Sequence, residues 1–269
     1  MSSPTSTAPR YIRTALIAAL VLLALVALLA HAFGDAGLIV IGRLPQLLTG
    51  SVGGWPITGG FAANIFISLV GMALATVMGV FLAILSLSPV AALRWPARFV
   101  VNFLRNSPWL VLLFSMLYLL PFAIRVGGMS IPIPAIAKAI FGLSQPVAAN
   151  LAEVIRGAVQ SIHSGQWESA RSLGYSRMQI YRFVILPQAY KRMLPGWMNL
   201  YALLMVATSL ATVTGVQEVV TVLRNILATQ SETTIVPFYL ATLLMFFLFC
   251  YPIALFARRL ENATKGDSL

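Results

Sequence analysis

The side chains able to do chemistry are few, and most lie within apolar runs. Glu153 and Arg156 stand three residues apart, a spacing at which a carboxylate and a guanidinium pair along one helix face. Such charges in an apolar run are expensive unless they face protein, so the pair is expected to point inward. Pairing is its first role and gating its second. Two further polar sets follow: Asn102, Arg105, Asn106, Ser107 and Ser115, then Thr208, Ser209, Thr212, Thr214, Gln217 and Glu218. Their amides and hydroxyls could line a polar path between helices, with Asn106, Ser107, Thr208, Ser209 and Thr212 as the candidate substrate path. The competing reading is packing, in which small hydroxyls bridge neighbouring helices. No catalytic constellation is expected. A Gly-Lys-Ser or Gly-Lys-Thr nucleotide loop is missing, so the chain should not hydrolyse ATP. His163 beside Ser164 has no Asp nearby in sequence and reads as a loop residue. Cys250, within Phe246-Phe247-Leu248-Phe249-Cys250, reads as a buried hydrophobe, and one cysteine with two histidines makes a poor metal site.

The elements that must hold these residues follow from composition. Of 269 residues, 59% are hydrophobic and only 9% charged, more apolar surface than one water-soluble core can hide. The net charge of +11 is spread between apolar runs rather than gathered in a basic domain, which excludes a nucleic-acid reading. A bilayer-length window gives about six spans, Thr14–Phe33, Ala63–Leu87, Val100–Ile124, Ile133–Arg156, Leu194–Leu223 and Pro237–Phe256. Thr14–Phe33 is long enough to span and lacks a cleavage site, so it reads as a retained helix. Pro132, Pro134, Pro146 and Lys138 interrupt the fourth, and Pro146 is expected to kink it or start its regular part. Most Lys and Arg, including Arg10, Arg94, Arg171, Arg192 and Arg258, then fall on one side, which places both termini in the cytoplasm. Trp55, Trp95, Trp109 and Trp197 lie near span ends.

Between the fourth and fifth spans runs a long polar stretch, Gly157–Met193. Ser164 is expected to cap a short helix and Gly174 to end it in a left-handed conformation. Ser176, with Gln179 three residues on, predicts a capping box, and Pro187 is expected to close the unit by disfavouring helix at Leu186. Ala170 and Gly174 share a face small enough for another protein to approach, with Trp167 and Glu168 as anchor and charge. An amphipathic pair resting on anionic headgroups fits equally. Both readings stay open on physics alone.

Glu168-Ser169-Ala170, Gly174 and Val184-Ile185-Leu186-Pro187 resemble the cytoplasmic loop of ATP-binding-cassette importer permeases. The spacing agrees throughout; Ser169 and Val184 are mild departures. Glu153–Ala158, Gly165–Glu168, Arg105–Pro108 and Leu186–Ala189 resemble the polar amino-acid branch. The resemblance implies an all-α integral membrane protein of the type I importer fold, with a cytoplasmic coupling-helix loop. Gln166, Trp167, Glu168, Ala170, Gly174, Leu186 and Pro187 would couple to the ATPase. It implies a permease in a bacterial cell inner membrane, working with ATPase subunits, a second permease chain (identical or different) and an external binding protein. No cofactor would bind this chain, since ATP and Mg sit on the ATPase. A polar amino acid is the expected cargo, with an opine or related small solute as the alternative. A secondary transporter would need midplane acids or repeated broken spans, and a membrane-anchored enzyme a catalytic set; neither is visible. Relatives carry a charged pair before Thr-Ser-Leu in the fifth span, where this chain has Val206-Ala207, so their site does not transfer. The expected organisation is a cytoplasmic tail at 1–13, an extra helix and external loop at 14–58, the transport domain at 59–261 and a cytoplasmic tail at 262–269.

Overall fold

The computed structural model describes residues 31–126 and 129–266. The expected span Thr14–Phe33 lies outside them except for its last three residues. Nine helices of nine residues or more make up most of the described chain: α1 (Asp35–Thr49), α2 (Gly60–Ser86), α3 (Ala91–Asn106), α4 (Trp109–Leu119), α5 (Ala135–Gln160), α6 (Ser164–Ser172), α7 (Leu186–Ala207), α8 (Val219–Leu227) and α9 (Ile235–Gly266). An antiparallel hairpin, β1 (Ala123–Val126) with β2 (Met129–Pro132), joins α4 to α5.

Helix α5 is the axis on which the others pack. Its Leu143, Val147, Ala148 and Leu151 are buried against Ile67, Met72 and Ala75 of α2, Leu113 of α4 and Leu200 and Leu204 of α7. Close approach of α2 rests on small residues four apart, Gly71, Ala75 and Gly79, the usual device where lipid gives helices no hydrophobic drive to associate. A Cβ on Gly79 would stand 2.9 Å from Ala148 O. A second core gathers Val40 and Leu47 of α1, Phe61 of α2, Val222, Leu223 and Ile226 of α8 and Phe238 and Ala241 of α9.

The expected spans are matched in part. Among the described residues three helical stretches are long and apolar enough to cross a bilayer: Gly60–Ser86, Arg177–Thr214 taken together, and Glu232–Ala263. The expected third span is not one helix. It breaks between α3 and α4, whose axes bend by 110°, and counts as a fourth crossing only if the pair is taken as one. Ser107 is held extended (φ −83°, ψ 137°) because it precedes Pro108, which also lacks an N–H to continue the ladder. Leu194–Leu223 is also broken: α7 ends at Ala207, a 3₁₀ segment runs Thr208–Thr214, and Gly215 (φ +81°) turns the chain toward α8. Within Ile133–Arg156, α5 runs through Pro146 without ending, and Pro134 precedes its first turn.

Helix α1, the hairpin and the burial of Lys138 were not expected. Helix α1 lies where an external loop was read, although Val40, Leu44 and Leu47 show helical spacing, and Pro45 lies within it. Lys138, fully buried, donates from Nζ to Leu117 O (3.0 Å) and Leu120 O (2.9 Å) and sits 3.8 Å from the Phe122 ring centroid. Its ammonium satisfies carbonyls orphaned at the end of α4, where a positive charge is also favoured by the helix dipole.

Candidate functional site

The polar stretch after α5 folds into a compact unit. His163, not Ser164 as expected, caps α6: its Nδ1 accepts from Gly165 N at 3.1 Å. Ser164 is already the first helical residue, so the capping position just outside the helix, from which a side chain reaches the free amides of the first turn, falls to His163. At the other end Tyr175 N donates to Ala170 O (3.1 Å) and Gly174 N to Arg171 O (2.9 Å), with Gly174 at φ +77°. The capping box forms as expected, Ser176 N donating to Gln179 Oε1 (2.8 Å) and Gln179 N to Ser176 Oγ (3.4 Å). Pro187 does not close the unit. Residues Ile180–Ile185 form a π-helical segment, Leu186 N donates to Tyr181 O, and Pro187 lies in the first turn of α7. A proline tolerated there has no amide to offer the preceding turn, and the wider π register absorbs the gap.

Ala170 corrects the expected docking face. It is buried against this chain's own Ala158, Val159, Ile162, Ile180, Ile185 and Ala189, so its smallness lets α6 sit on α5 and the π segment. Trp167 is half-buried and meets the Tyr181 ring edge-on, with centroids 5.2 Å apart. Gln188 Nε2 donates to Gln166 Oε1 (3.3 Å), and Arg192 donates to Ser161 O (2.7 Å). What faces outward is a different set: Leu173 (74% exposed), Tyr175 and Met178 (75% exposed), bordered by exposed Glu168, Arg171 and Arg177. Leu186 and Pro187 are also exposed. Large apolar side chains exposed on a polar turn suit a contact with another protein or with a membrane surface. Sequence periodicity missed them because the tip is not a helix.

The second polar feature joins α3 to α5. Glu153 accepts from Arg156 Nε at 3.0 and 3.1 Å and from its Nη2 at 2.6 Å, the expected pair. Arg105, 48 positions earlier, adds Nη1 at 3.7 Å from Glu153 Oε2 and donates from Nε to Asn150 Oδ1 at 3.3 Å. Arg105 is more open than Glu153, with side chains 38% and 21% exposed. Two guanidinium groups thus flank one carboxylate, a set that sequence alone left in separate runs. Asn106 and Ser107 instead bond back to their own helix, Asn106 Nδ2 to Asn102 O and Ser107 Oγ to Phe103 O, both at 2.7 Å.

The remaining candidates lie in the 3₁₀ segment and divide. Thr208 is fully buried, donates to Met205 O (2.6 Å) and accepts from Asn64 Nδ2 (2.9 Å). Thr212 Oγ1 meets Thr221 Oγ1 (2.9 Å) and accepts from Arg224. Ser209 donates to Val206 O (2.9 Å) and edges an apolar groove of about 510 Å³ between α7, α8 and α9. Packing therefore accounts for Thr208, whereas Ser209 is half-buried at an open surface. The described residues contain no cluster suited to a metal ion.

Comparison with known proteins bears on this arrangement. The profile described as "Binding-protein-dependent transport system inner membrane component" matches residues 75–266. The probable amino-acid ABC transporter permease protein YckA of Bacillus subtilis (strain 168) is 35% identical over 76% of this chain and 86% of its own length. The probable glutamine ABC transporter permease protein GlnP of the same organism is 32% identical over 75% of this chain and 90% of its own. The octopine transport system permease protein OccM of Rhizobium radiobacter is 31% identical over 62% and 69%. In fold, the chain is similar to the structure titled "Crystal structure of an amino acid ABC transporter with histidines", with a TM-score of 0.67 and 24% identity over 82% of this chain and 97% of that one.

Proposed function

This chain belongs to the family of binding-protein-dependent transport system inner membrane components and is the permease subunit of an ATP-binding-cassette importer, and we propose that it carries a polar amino acid into the cytoplasm. The observation that carries the choice of cargo is the juxtaposition of Arg105 and Glu153. A zwitterion needs donors for its carboxylate and an acceptor for its ammonium. Arg105 supplies the first and Glu153 the second, while Arg156 holds the carboxylate in place. Names carried by the relatives agree with this chemistry. The octopine relative favours a second reading, an amino-acid-derived opine, which presents the same two groups.

The family implies a cytoplasmic ATPase and an external binding protein as partners. In our reading the turn bearing Leu173, Tyr175 and Met178 enters the ATPase surface, with Gln166, Trp167, Glu168, Ala170 and Gly174 shaping it from behind and Leu186 and Pro187 at its rim. Closure of the ATPases then moves the turn as one body, since its buried side ties α6 to α5 and α7. A second permease chain completes the path. The protein sits in the bacterial inner membrane with both termini inside, a topology supported by Arg171, Arg177, Arg182, Lys191 and Arg192 around the loop. The chain itself is non-catalytic, and ATP and Mg belong to the ATPase.

The test is uptake by proteoliposomes holding the permease, its ATPase and its binding protein. A panel of labelled glutamine, histidine, arginine, cystine and octopine is compared with a sugar and a dipeptide. ATP-dependent entry of at least one amino acid or opine is expected. Entry of the sugar or dipeptide alone overturns the assignment.

A further inference from the structure

A buried network lies apart from the Arg105–Glu153 cluster and from the loop. Glu218 is fully buried at the N-cap of α8, and its carboxylate accepts from Val220 N (3.0 Å), Thr221 N (2.7 Å), Thr221 Oγ1 (3.0 Å) and Asn64 Nδ2 (3.2 Å). Asn64, also fully buried, accepts from Val219 N on Oδ1 (3.0 Å) and donates to Thr208 Oγ1 (2.9 Å). Thr221 gives its proton to Glu218, so Thr212 must donate to Thr221 and is free to accept from Arg224. One carboxylate thus reaches the 3₁₀ segment at Thr208 through Asn64 and at Thr212 through Thr221. The same junction is tight in backbone. Gly60 N donates to Gln217 O (2.8 Å), Gly60 bridges Glu218 in parallel, and a Cβ on Gly59 would overlap Gln217 O.

We propose that Glu218 is a positioning residue for transport: with Asn64 it pins the break in the α7–α8 span against α2, and so fixes where the 3₁₀ segment Thr208–Thr214 stands. Three features argue for more than stability. A fully buried carboxylate is retained only where donors surround it and a helix N-terminus favours its charge, both of which hold here. Every group turned toward it is a donor, so a neutral amide of the same shape does not substitute. The segment it holds is an interrupted transmembrane helix, the kind of element that forms substrate paths in transporters. Thr208 and Thr212 are then holding points, and Ser209, between them, bonds back to Val206 O at the edge of the apolar groove.

The inference takes its functional readout from the importer assignment, and the test separates the two. Glu218→Gln puts an NH₂ group against a ring of donors. Glu218→Gln with Asn64→Asp returns an acceptor to the other side of the contact, accepting from the new amide and from Val219 N, and from the Thr208 hydroxyl, which turns from Met205 O to donate where Asn64 donated before. In proteoliposomes with ATPase and binding protein and labelled glutamine as the probe, Glu218→Gln is expected to lower uptake per ATP hydrolysed by about tenfold or more, the effect of one lost charge-assisted bond. The double variant is expected to recover at least about half of it. Amide exchange over residues 208–222 should rise in the single variant and return in the double, with 143–151 in α5 unchanged. Normal uptake per ATP in Glu218→Gln, absence of recovery in the double variant, or equal loosening of α5 each overturns the proposal. If glutamine is not a cargo, the exchange comparison decides alone, since it does not depend on cargo.

Discussion

Replacing Gly174 separates two reasons for a glycine at that position. If glycine were needed for space, alanine would be nearly harmless and tryptophan severe. The structure gives the other answer. A Cβ at Gly174 meets nothing within 4 Å, but the backbone stands at φ +77°. An L-residue held there costs about 1–2 kcal/mol whatever its size. That cost falls on the closure of α6, where Leu173, Gly174 and Tyr175 donate to Ser169, Arg171 and Ala170 at 3.1, 2.9 and 3.1 Å. It multiplies the population of the opened turn by about 5–30. Gly174→Ala and Gly174→Trp should therefore each lower amide protection at residues 173–175 by about 5–30-fold, and Gly174→Asn by less, since asparagine tolerates the left-handed region. Hydrogen exchange read by mass spectrometry on the purified complex measures this directly. Coupling of transport to ATP hydrolysis should weaken in the same order. Wild-type protection in Gly174→Ala with loss only in Gly174→Trp would refute the backbone argument and restore a steric one.

Leu173→Asp and Met178→Asp should leave thermal stability within about 0.5 kcal/mol, since both side chains are exposed, yet weaken co-purification with the ATPase about tenfold or more. Equal recovery of the ATPase with either variant would move the contact elsewhere. Lys138→Met strands the Leu117 and Leu120 carbonyls and should cost about 3 kcal/mol, read as a lower midpoint in detergent unfolding. Gly79→Ala forces a methyl against Ala148 O at 2.9 Å and should destabilise by about 1–3 kcal/mol in the same assay, whereas Gly157→Ala, with open space, should not.

Apolar runs revealed the helices because lipid demands unbroken hydrophobicity: Gly60–Ser86 falls close to the expected Ala63–Leu87, whereas α9 starts near Pro237 but runs ten residues past the expected end at Phe256. Breaks within runs were harder to see. Val100–Ile124 and Leu194–Leu223 read as single spans since hydropathy ignores backbone direction, although Ser107-Pro108 and Gly215 stand where the chain turns. Local caps at Gly174 and Ser176 were legible because their partners lie within a few residues. Contacts distant in sequence were not. Arg105 meeting Glu153, and Asn64 meeting Glu218, depend on how α3 and α2 cross the bundle, which no single run encodes. Ala170 shows the same limit in reverse: its spacing with Gly174 was real, but its face turned inward.

The most direct measurement is the initial rate of ATP-driven amino-acid uptake in reconstituted proteoliposomes at saturating loaded binding protein, comparing wild type with Arg105→Ala. Glu153 keeps its bonds to Arg156 in that variant, so the bundle should stay intact. Losing one charge-assisted contact to the cargo carboxylate, about 1.5–3 kcal/mol, should slow uptake by about 10–150-fold while ATP hydrolysis continues. An unchanged rate in Arg105→Ala, or no ATP-driven uptake of any polar amino acid or opine by the wild type, would contradict it.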